Sequence, residues 1–234
     1  MSVIPSLTLG RAKILWLDHY NLETNWYAFW LPLSFWLGCW LYAKATKKDF
    51  GRWAGLHAVH NAGAIIIASI SLYFDDDSIC NERVGQLWSM AYFTIETTDQ
   101  LLQGHVLYIL HGFIALLLGL ANYNIPLLRS LRMNSKASYI ELSSLLLPYV
   151  KRYRKPWLFF AFAVVYTLCR MIWVPFMIKD LLHHGMELSH PVVIGVSVFY
   201  CLNIHWYIKI IKIAFNSSGD NGNRGKTNNK AKKG

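Results

Sequence analysis

The sequence predicts an all-α, polytopic membrane protein, and its composition carries that prediction. Of its 234 residues, 54% are hydrophobic and only 15% are charged, whereas an ordinary soluble domain carries roughly 25% charged residues. Aromatic residues make up 15% of the chain and include 10 Trp. The apolar residues gather in segments long enough to cross a hydrocarbon core of about 30 Å. This composition excludes a soluble domain, and it excludes disorder for most of the chain.

The first two predicted spans lie on either side of a short basic stretch. Residues 26–42 carry no charge and have aromatic residues near both ends, where an interface favours them. Four basic residues follow between positions 44 and 52, and residues 53–74 form the second span. Residues 1–25 have no continuous apolar core, so we expect no cleaved signal peptide, and the first span acts as the insertion signal.

The total number of spans, six or seven, stays open because of one segment in the second half of the chain. Residues 139–150 are apolar but only 12 residues long, which is short for a span. If they cross, the chain has seven spans and its N-terminus outside; if they do not, it has six spans and both termini inside. Both arrangements place the basic run 151–155 and the C-terminal tail in the cytosol. The remaining predicted spans are residues 87–103, 105–123, 157–178 and 191–213.

The chain therefore divides into an N-terminal segment, a membrane part and a tail. Residues 1–25 form the segment, 26–47 the first transmembrane helix, and 48–213 the main membrane domain. Residues 214–234 are rich in Gly, Asn, Ser and Lys, and we expect a disordered basic tail. We interpret the net charge of +10 as a signal for the orientation of the chain in the membrane, and we therefore expect no nucleic-acid partner.

The four cysteines show neither a CxxC pair nor a Cys/His zinc spacing, so we expect no disulfide framework and no metal site. No phosphate-binding loop or nucleotide fingerprint occurs either. We accordingly expect no bound cofactor, although acyl-CoA remains open as a substrate.

Ionisable residues inside the predicted spans are the strongest functional signal. Each costs roughly 2.5–3.5 kcal/mol at the centre of a bilayer, so each needs a partner or a polar cavity. His57 and His60 are three residues apart and share a helix face, as do Glu96 and Asp99. If these faces meet, carboxylates lie beside imidazoles, which is the arrangement general acid–base chemistry requires. The full set is His57, His60, Asn61, Glu96, Asp99, His105, His111, Arg170, Asn203 and His205.

Two simpler interpretations stay open for these residues. An intramembrane polar side chain often only hydrogen-bonds a neighbouring helix, and such bonds contribute about 0.6 kcal/mol on average. Arg170, for its part, is expected to pair with Glu96, Asp99 or Glu141, which would be a structural ion pair. Several converging polar groups nevertheless favour a shared cavity over isolated bonds.

Five sequence pieces, in order, resemble a known family. Together they cover residues 48–213, nearly the whole membrane part. They are Arg52-Trp53 with His60; Tyr92-Phe93 and Asp99 followed by Leu110-His111; Glu141-Leu-Ser-Ser144; Cys169-Arg-Met171 with Trp173 and Pro175; and Leu202-Asn203 with Trp206. The ordered set resembles the TLC-domain proteins, the group that contains translocation-associated membrane proteins and longevity-assurance ceramide synthases.

The resemblance implies a compact six-helix barrel, preceded by one N-terminal helix, around a lipid-sized cavity. In acyl-transferring members a His pair and nearby aspartates line the cavity and act on acyl-CoA. Here the second His of the pair is Gly112, and the Asp-rich run after the pair is missing. The chain is therefore more similar to the short, non-ceramide-synthase members. The implied roles are catalytic for His111 and Asp99, and cavity-lining or bracing for His60, Glu96, His105, Glu141, Arg170 and Asn203.

Three functions follow as hypotheses. The first is a lipid-handling protein of the endoplasmic reticulum that binds membrane lipid and affects lipid composition. The second is an acyl-CoA-dependent N-acyltransferase of ceramide-synthase type, with Lys151–Lys155 attracting the CoA phosphates. The third is a cargo receptor or translocon-associated factor. Lys230 and Lys232 resemble a KxKxx retrieval signal, which would make the coat complex a partner of a cytosolic C-terminus. The oligomeric state stays open.

Overall fold

The computed structural model describes residues 27–46, 49–74 and 82–227, and every regular element within those ranges is helical. Side chains are described over 29–46, 55–74 and 82–213. The all-α prediction is confirmed for this part of the chain. Four segments are long and apolar enough to cross a membrane: Gly55–Phe74, Val106–Asn124, Pro156–His183 and Pro191–Ile213.

The helices follow one another through short connections. A π-helical segment, Thr167–Ile172, joins two of them into one continuous helix over Pro156–His183. Gly104 closes the turn between the third and fourth helices with φ +72, a conformation that glycine adopts without strain. In order, the helices are α1 Tyr27–Ala45, α2 Asp49–Phe74, α3 Glu82–Gln103, α4 Val106–Asn124, α5 Pro126–Ser130, α6 Met133–Ser138, α7 Glu141–Tyr153, α8 Pro156–Tyr166, α9 Trp173–His183 and α10 Pro191–Thr227.

Helix α1 is an integral part of the bundle because its aromatic side chains pack into α2 and α3. Trp36 is fully buried, and its ring centroid lies 4.8 Å from Trp88, 5.1 Å from Tyr92 and 6.0 Å from His60. Edge-to-face aromatic pairs of this kind contribute about 0.5–1.5 kcal/mol beyond area burial. Trp36 therefore fixes α1 and supports the ring of His60 at the same time.

Helices α3 and α4 approach closely through two glycines of α4. A Cβ at Gly112 would lie 2.1 Å from Thr97 Oγ1, and a Cβ at Gly119 would lie 2.9 Å from Met90 Cγ. The two glycines are seven residues apart, about two turns, so they lie on the same helix face. Small residues at membrane helix interfaces allow this backbone approach.

The segment that left the number of spans open, residues 139–150, lies mostly in α7, and a break at Tyr139 and Ile140 separates α7 from the short helix α6 before it. The Tyr139 hydroxyl lies 3.0 Å from Ser69 Oγ, and Arg132 Nη1 donates to Ser71 Oγ at 2.6 Å, near the end of α2. Both α6 and α7 pack against α2. The 13 residues of α7 span about 20 Å and continue along α2 toward its start.

The apolar side chains divide between the outer surface and the interior, where two further clusters lie besides the one around Trp36. One cluster joins α4, α6, α9 and α10 through residues such as Ile114, Met133 and Val174. The other joins α7, α8 and α10 at the opposite end and includes Val150, Leu158 and Ile210. Many large apolar side chains, among them Leu117, Phe160 and Phe176, face outward, as a helix bundle in lipid requires.

Candidate functional site

A cavity of about 140 Å³ lies inside the bundle, lined by side chains from α2, α3, α4, α5, α6, α7, α9 and α10. One part of its wall is apolar and includes Leu118, Val174, Val196 and Phe199. A cavity of about 150 Å³ admits a benzene-sized group, so this volume fits a segment of about six carbons rather than a whole lipid. The polar part of the wall contains His60, Gln86, Ser89, His111, Asn122, Asn134, Ser138 and Glu141.

His60, one of the residues of this wall, carries a hydrogen-bond acceptor without a partner. Its Nδ1 lies 2.9 Å from Asn61 Oδ1, an acceptor, so Nδ1 carries the proton and Nε2 holds a lone pair. Nε2 is buried and has no hydrogen-bond partner in the described part of the chain. The ring stacks on Tyr92 with centroids 3.8 Å apart, which fixes its orientation. A buried acceptor left unsatisfied costs about 1–3 kcal/mol, so His60 Nε2 is suited to a ligand that donates a hydrogen bond.

Two further wall residues carry acceptors. Asn122 donates from Nδ2 to Gln86 Oε1 at 3.1 Å, while its own Oδ1 is buried without a partner among the described residues. Glu141, the first residue of α7, is half-buried and makes no ion pair with any described cation. The cavity wall thus combines acceptor atoms with an apolar surface.

His111 also lines the cavity, but it is surrounded by aromatic rings. Its centroid lies 5.2 Å from Phe199, 5.4 Å from Trp206 and 6.1 Å from Phe93. Phe93 is 5.5 Å from His60 as well, and so contacts both imidazoles. His111 forms no hydrogen bond with His60 or Asp99, so the structure does not bring these residues together as a catalytic unit.

Asp99, which the resemblance implies to be catalytic together with His111, is bonded to other side chains instead. It accepts hydrogen bonds from Trp40 Nε1 at 2.9 Å and Gln103 Nε2 at 2.6 Å, and it forms an ion pair with Lys44 at 2.8 Å. Lys44 and Trp40 belong to α1, so Asp99 joins α1 to α3. It does not line the cavity.

The polar faces of α2 and α3 meet at His57 and Glu96. His57 Nε2 lies 3.9 Å from Glu96 Oε1, and the Tyr92 hydroxyl hydrogen-bonds His57 Nδ1. Imidazole and carboxylate are therefore neighbours, as the spacing predicts, but Glu96 lies outside the cavity wall. His105 is exposed in the turn before α4, where its Nδ1 lies 2.9 Å from Gln100 Oε1, so it is not in the wall either.

Arg170 corrects a second expectation, because its partners are neutral rather than carboxylates. Its Nε donates to Ser143 Oγ at 2.8 Å, Nη2 to Ser144 Oγ at 2.8 Å, and Nη1 to Asn203 Oδ1 at 2.7 Å. The guanidinium also lies 5.3 Å from the Tyr166 ring centroid. Arg170 and Asn203 thus brace α7, the π-helical segment and α10 together, next to the cavity but outside its wall.

Three of the eight predicted site residues therefore line the cavity: His60, His111 and Glu141. Sequence reasoning missed Gln86 and Asn122. The signal for Asn122 was present, since it is an amide within an apolar span, as Asn61 and Asn203 are. Gln86 falls one position before the predicted third span, so the same criterion did not reach it. Lys230 and Lys232 lie outside the described residues.

In the part of the chain that the structure describes, no group of three His, Cys, Asp or Glu residues could hold a metal ion. No family model, no curated protein and no solved structure matches the chain. Fold and site together define an all-helical membrane protein with a small amphipathic cavity inside the bundle.

Proposed function

We propose that this is a TLC-type, multi-pass membrane protein that binds lipid through its intramembrane cavity and affects membrane lipid composition. The observation that carries the proposal is the amphipathic wall, in which His60 and Asn122, each with a buried acceptor that has no partner among the described residues, line the same cavity as Val174, Val196 and Phe199. Such a wall suits a ligand with an apolar chain and a polar group that donates hydrogen bonds. The volume suits one segment of the chain, with the rest of the lipid lying outside the bundle.

The proposed arrangement has seven crossings. Four are the long apolar helices, and α1 and α3 would be two more. The seventh would be the broken pair α6 and α7, because both pack along α2, itself one of the long helices. A broken helix is tolerated at membrane depth when it is enclosed by protein or lines a cavity. Met133 and Glu141, from α6 and α7, do line the cavity.

Filling the cavity is expected to abolish lipid binding. Ala115→Trp and Val196→Trp each place an indole in the apolar part of the wall. Displacing even two methylenes, at about 0.8 kcal/mol each, would weaken binding roughly tenfold. Native mass spectrometry of purified protein would count retained lipids, and cross-linking with diazirine-bearing palmitate would map the contact residues.

The matched control is Leu117→Trp, which adds the same side chain to α4 on its outward face, where Leu117 is 51% exposed. It should retain lipid as the wild type does. Equal retention in all three Trp variants, or cross-links confined to the outer surface, would refute a ligand in the cavity.

The free lone pair of His60 supports acyl transfer as a second candidate function. In that reaction His60 Nε2 would accept the proton of an attacking amine as its nitrogen bonds to the thioester carbon. The C–S bond would then break, and the CoA thiolate would take up the proton. The same preparation, supplied with acyl-CoA and a sphingoid base, tests this by product mass. Turnover that is lost in His60→Phe would support an enzyme, whereas no turnover in the wild type would leave lipid binding alone.

The proposal places the protein in the endoplasmic reticulum with a cytosolic C-terminus. Replacing Lys230 and Lys232 by Ser is expected to move an N-terminally tagged protein to later secretory compartments, because the retrieval signal would lose both lysines. Fluorescence microscopy against compartment markers measures the shift. Unchanged residence in the endoplasmic reticulum would argue against retrieval through the tail, and with it against a coat-complex partner.

A further inference from the structure

Six exposed basic side chains gather at the end of the bundle where α7 ends and α10 leaves the membrane part. Two come from the last turn of α7, two from its connection to α8, and two from α10. We refer to them as the basic collar: Lys151, Arg152, Arg154, Lys155, Lys209 and Lys212.

Apolar packing brings the two parts of the collar together. Val150, Leu158 and Ile210 share one buried cluster, so the residues that flank them lie at the same end of the bundle. Arg154 has φ +49, a left-handed conformation that ends α7 and lets α8 begin at Pro156. The tight turn concentrates four basic residues within a short stretch of chain.

The ends of the apolar segments indicate that the collar lies at the depth of lipid head groups. The apolar segment Pro156–His183 begins directly after Lys155, and Lys209 and Lys212 fall in the last turns of the segment Pro191–Ile213. Long basic side chains at such positions extend to the interface. Tyr149, Tyr153 and Trp157 are 52%, 51% and 65% exposed beside the collar, and such aromatic residues favour the interface.

Most of the positive charge of the collar is not paired with a described acid. Among the described residues, Arg152, Arg154, Lys155, Lys209 and Lys212 form no ion pair. The acid in the last turns of α3, Asp99, is already paired with Lys44 at 2.8 Å. A cluster of this size next to membrane helices attracts anionic lipid, with a gain of about fivefold in affinity for each basic residue near the surface.

We infer that the basic collar is a binding site for the head group of an anionic phospholipid in the leaflet that it faces. The phosphate and any further head-group charge lie among the six side chains, and the acyl chains lie along the outer surface of α8 and α10. This site is separate from the cavity and does not depend on the function proposed for it.

The test compares lipid retention by the purified full chain. Phosphatidylserine and phosphatidylcholine with identical acyl chains are titrated and counted by native mass spectrometry. We expect the wild type to retain phosphatidylserine at least about tenfold better. The variant K151Q/R152Q/R154Q/K155Q should lose that preference. A charge-retaining variant, K151R/K155R/K209R/K212R, should keep it, which separates charge from disturbed folding.

The matched control removes the same number of charges from the tail, by Lys226, Lys230, Lys232 and Lys233→Gln, and should change the preference less than twofold. Equal losses in the collar and tail variants would overturn the proposal in favour of diffuse attraction. Displacement of bound phosphatidylserine by micromolar CoA would overturn it in favour of a soluble phosphate ligand.

A salt titration keeps the proposal testable if the collar variant does not fold. The preference of the wild type for phosphatidylserine over phosphatidylcholine must fall steeply with added salt, because exposed charges are screened. A salt-independent preference would refute the site.

Discussion

Replacing Arg170 by Met is expected to lower the melting temperature by roughly 10 °C. The substitution removes three charge-assisted hydrogen bonds, leaves Ser143 Oγ buried without its donor, and leaves Asn203 Oδ1 with only the Tyr166 hydroxyl at 3.4 Å. Hydrogen bonds to charged groups contribute about 1.5–3 kcal/mol each in soluble proteins and about 0.6 kcal/mol on average between membrane helices. A total of about 2–5 kcal/mol corresponds to roughly 5–15 °C for a chain of this length. Thermal unfolding in detergent, followed by Trp fluorescence, measures the change.

The position of Arg170 explains why one residue has so large an expected effect. It lies in the π-helical segment and reaches α7 through Ser143 and Ser144, and α10 through Asn203. Three elements therefore lose their common contact at once. Because α7 also carries Glu141 in the cavity wall, we expect Arg170→Met to weaken lipid retention as well.

Two companion variants make this prediction specific. Arg170→Lys keeps the charge but lacks the planar fork of donors, so its stability should fall between those of the wild type and Arg170→Met. Lys179→Met removes an exposed cation from the same long helix and should change stability by less than about 0.5 kcal/mol. If Arg170→Met melts within about 2 °C of the wild type, the brace is not a main source of stability.

Substitution of Gly112 is expected to separate α3 from α4. Gly112→Ala introduces a Cβ that would lie 2.1 Å from Thr97 Oγ1 and 3.2 Å from Thr97 Cβ. Rotation of Thr97 relieves only the first contact, so the helices must move apart. Overpacking of this kind costs about 1–3 kcal/mol.

Gly112→His, which would create a His pair like that of acyl-transferring TLC proteins, should yield little folded protein, as judged by size-exclusion chromatography.

A rescue and a control accompany the Gly112 variants. Thr97→Ala removes the hydroxyl that meets the new Cβ, so Gly112→Ala with Thr97→Ala should be more stable than Gly112→Ala alone. Gly38→Ala, in α1, meets no described atom within 4 Å and should be neutral or stabilising, because alanine favours helix. Equal effects at Gly38 and Gly112, or no rescue by Thr97→Ala, would refute the close contact as the cause.

The Gly112 contact also bears on the enzyme hypothesis. The sequence shows only that a glycine stands where the resemblance implies a second His. The structure adds that a side chain has no room there, because α3 and α4 touch at that point. His60 across the cavity, rather than a neighbour of His111 on α4, is therefore the second imidazole of the wall.

Hydropathy and charge were sufficient to predict an all-α protein, the four long apolar helices and the basic run at 151–155. These features depend on the composition of continuous segments, and a bilayer acts on each segment separately. The same reasoning identified His60 and His111 as polar residues inside predicted spans, whereas Glu141 was predicted as a cavity residue only from the resemblance to TLC-domain proteins. It also anticipated that an imidazole of α2 would meet a carboxylate of α3, since a spacing of three residues fixes which side chains share a face.

The partners of those side chains depended on which helices became neighbours. Asp99 pairs with Lys44 because α1 packs on α3, and Arg170 binds Ser143, Ser144 and Asn203 because the π-helical segment lies between α7 and α10. No spacing within one segment encodes either contact. The size of the cavity was likewise decided by packing, since it is the space that eight helices leave between them. The sequence identifies the polar residues that need partners within a membrane, and the packing of the helices determines which residues those partners are.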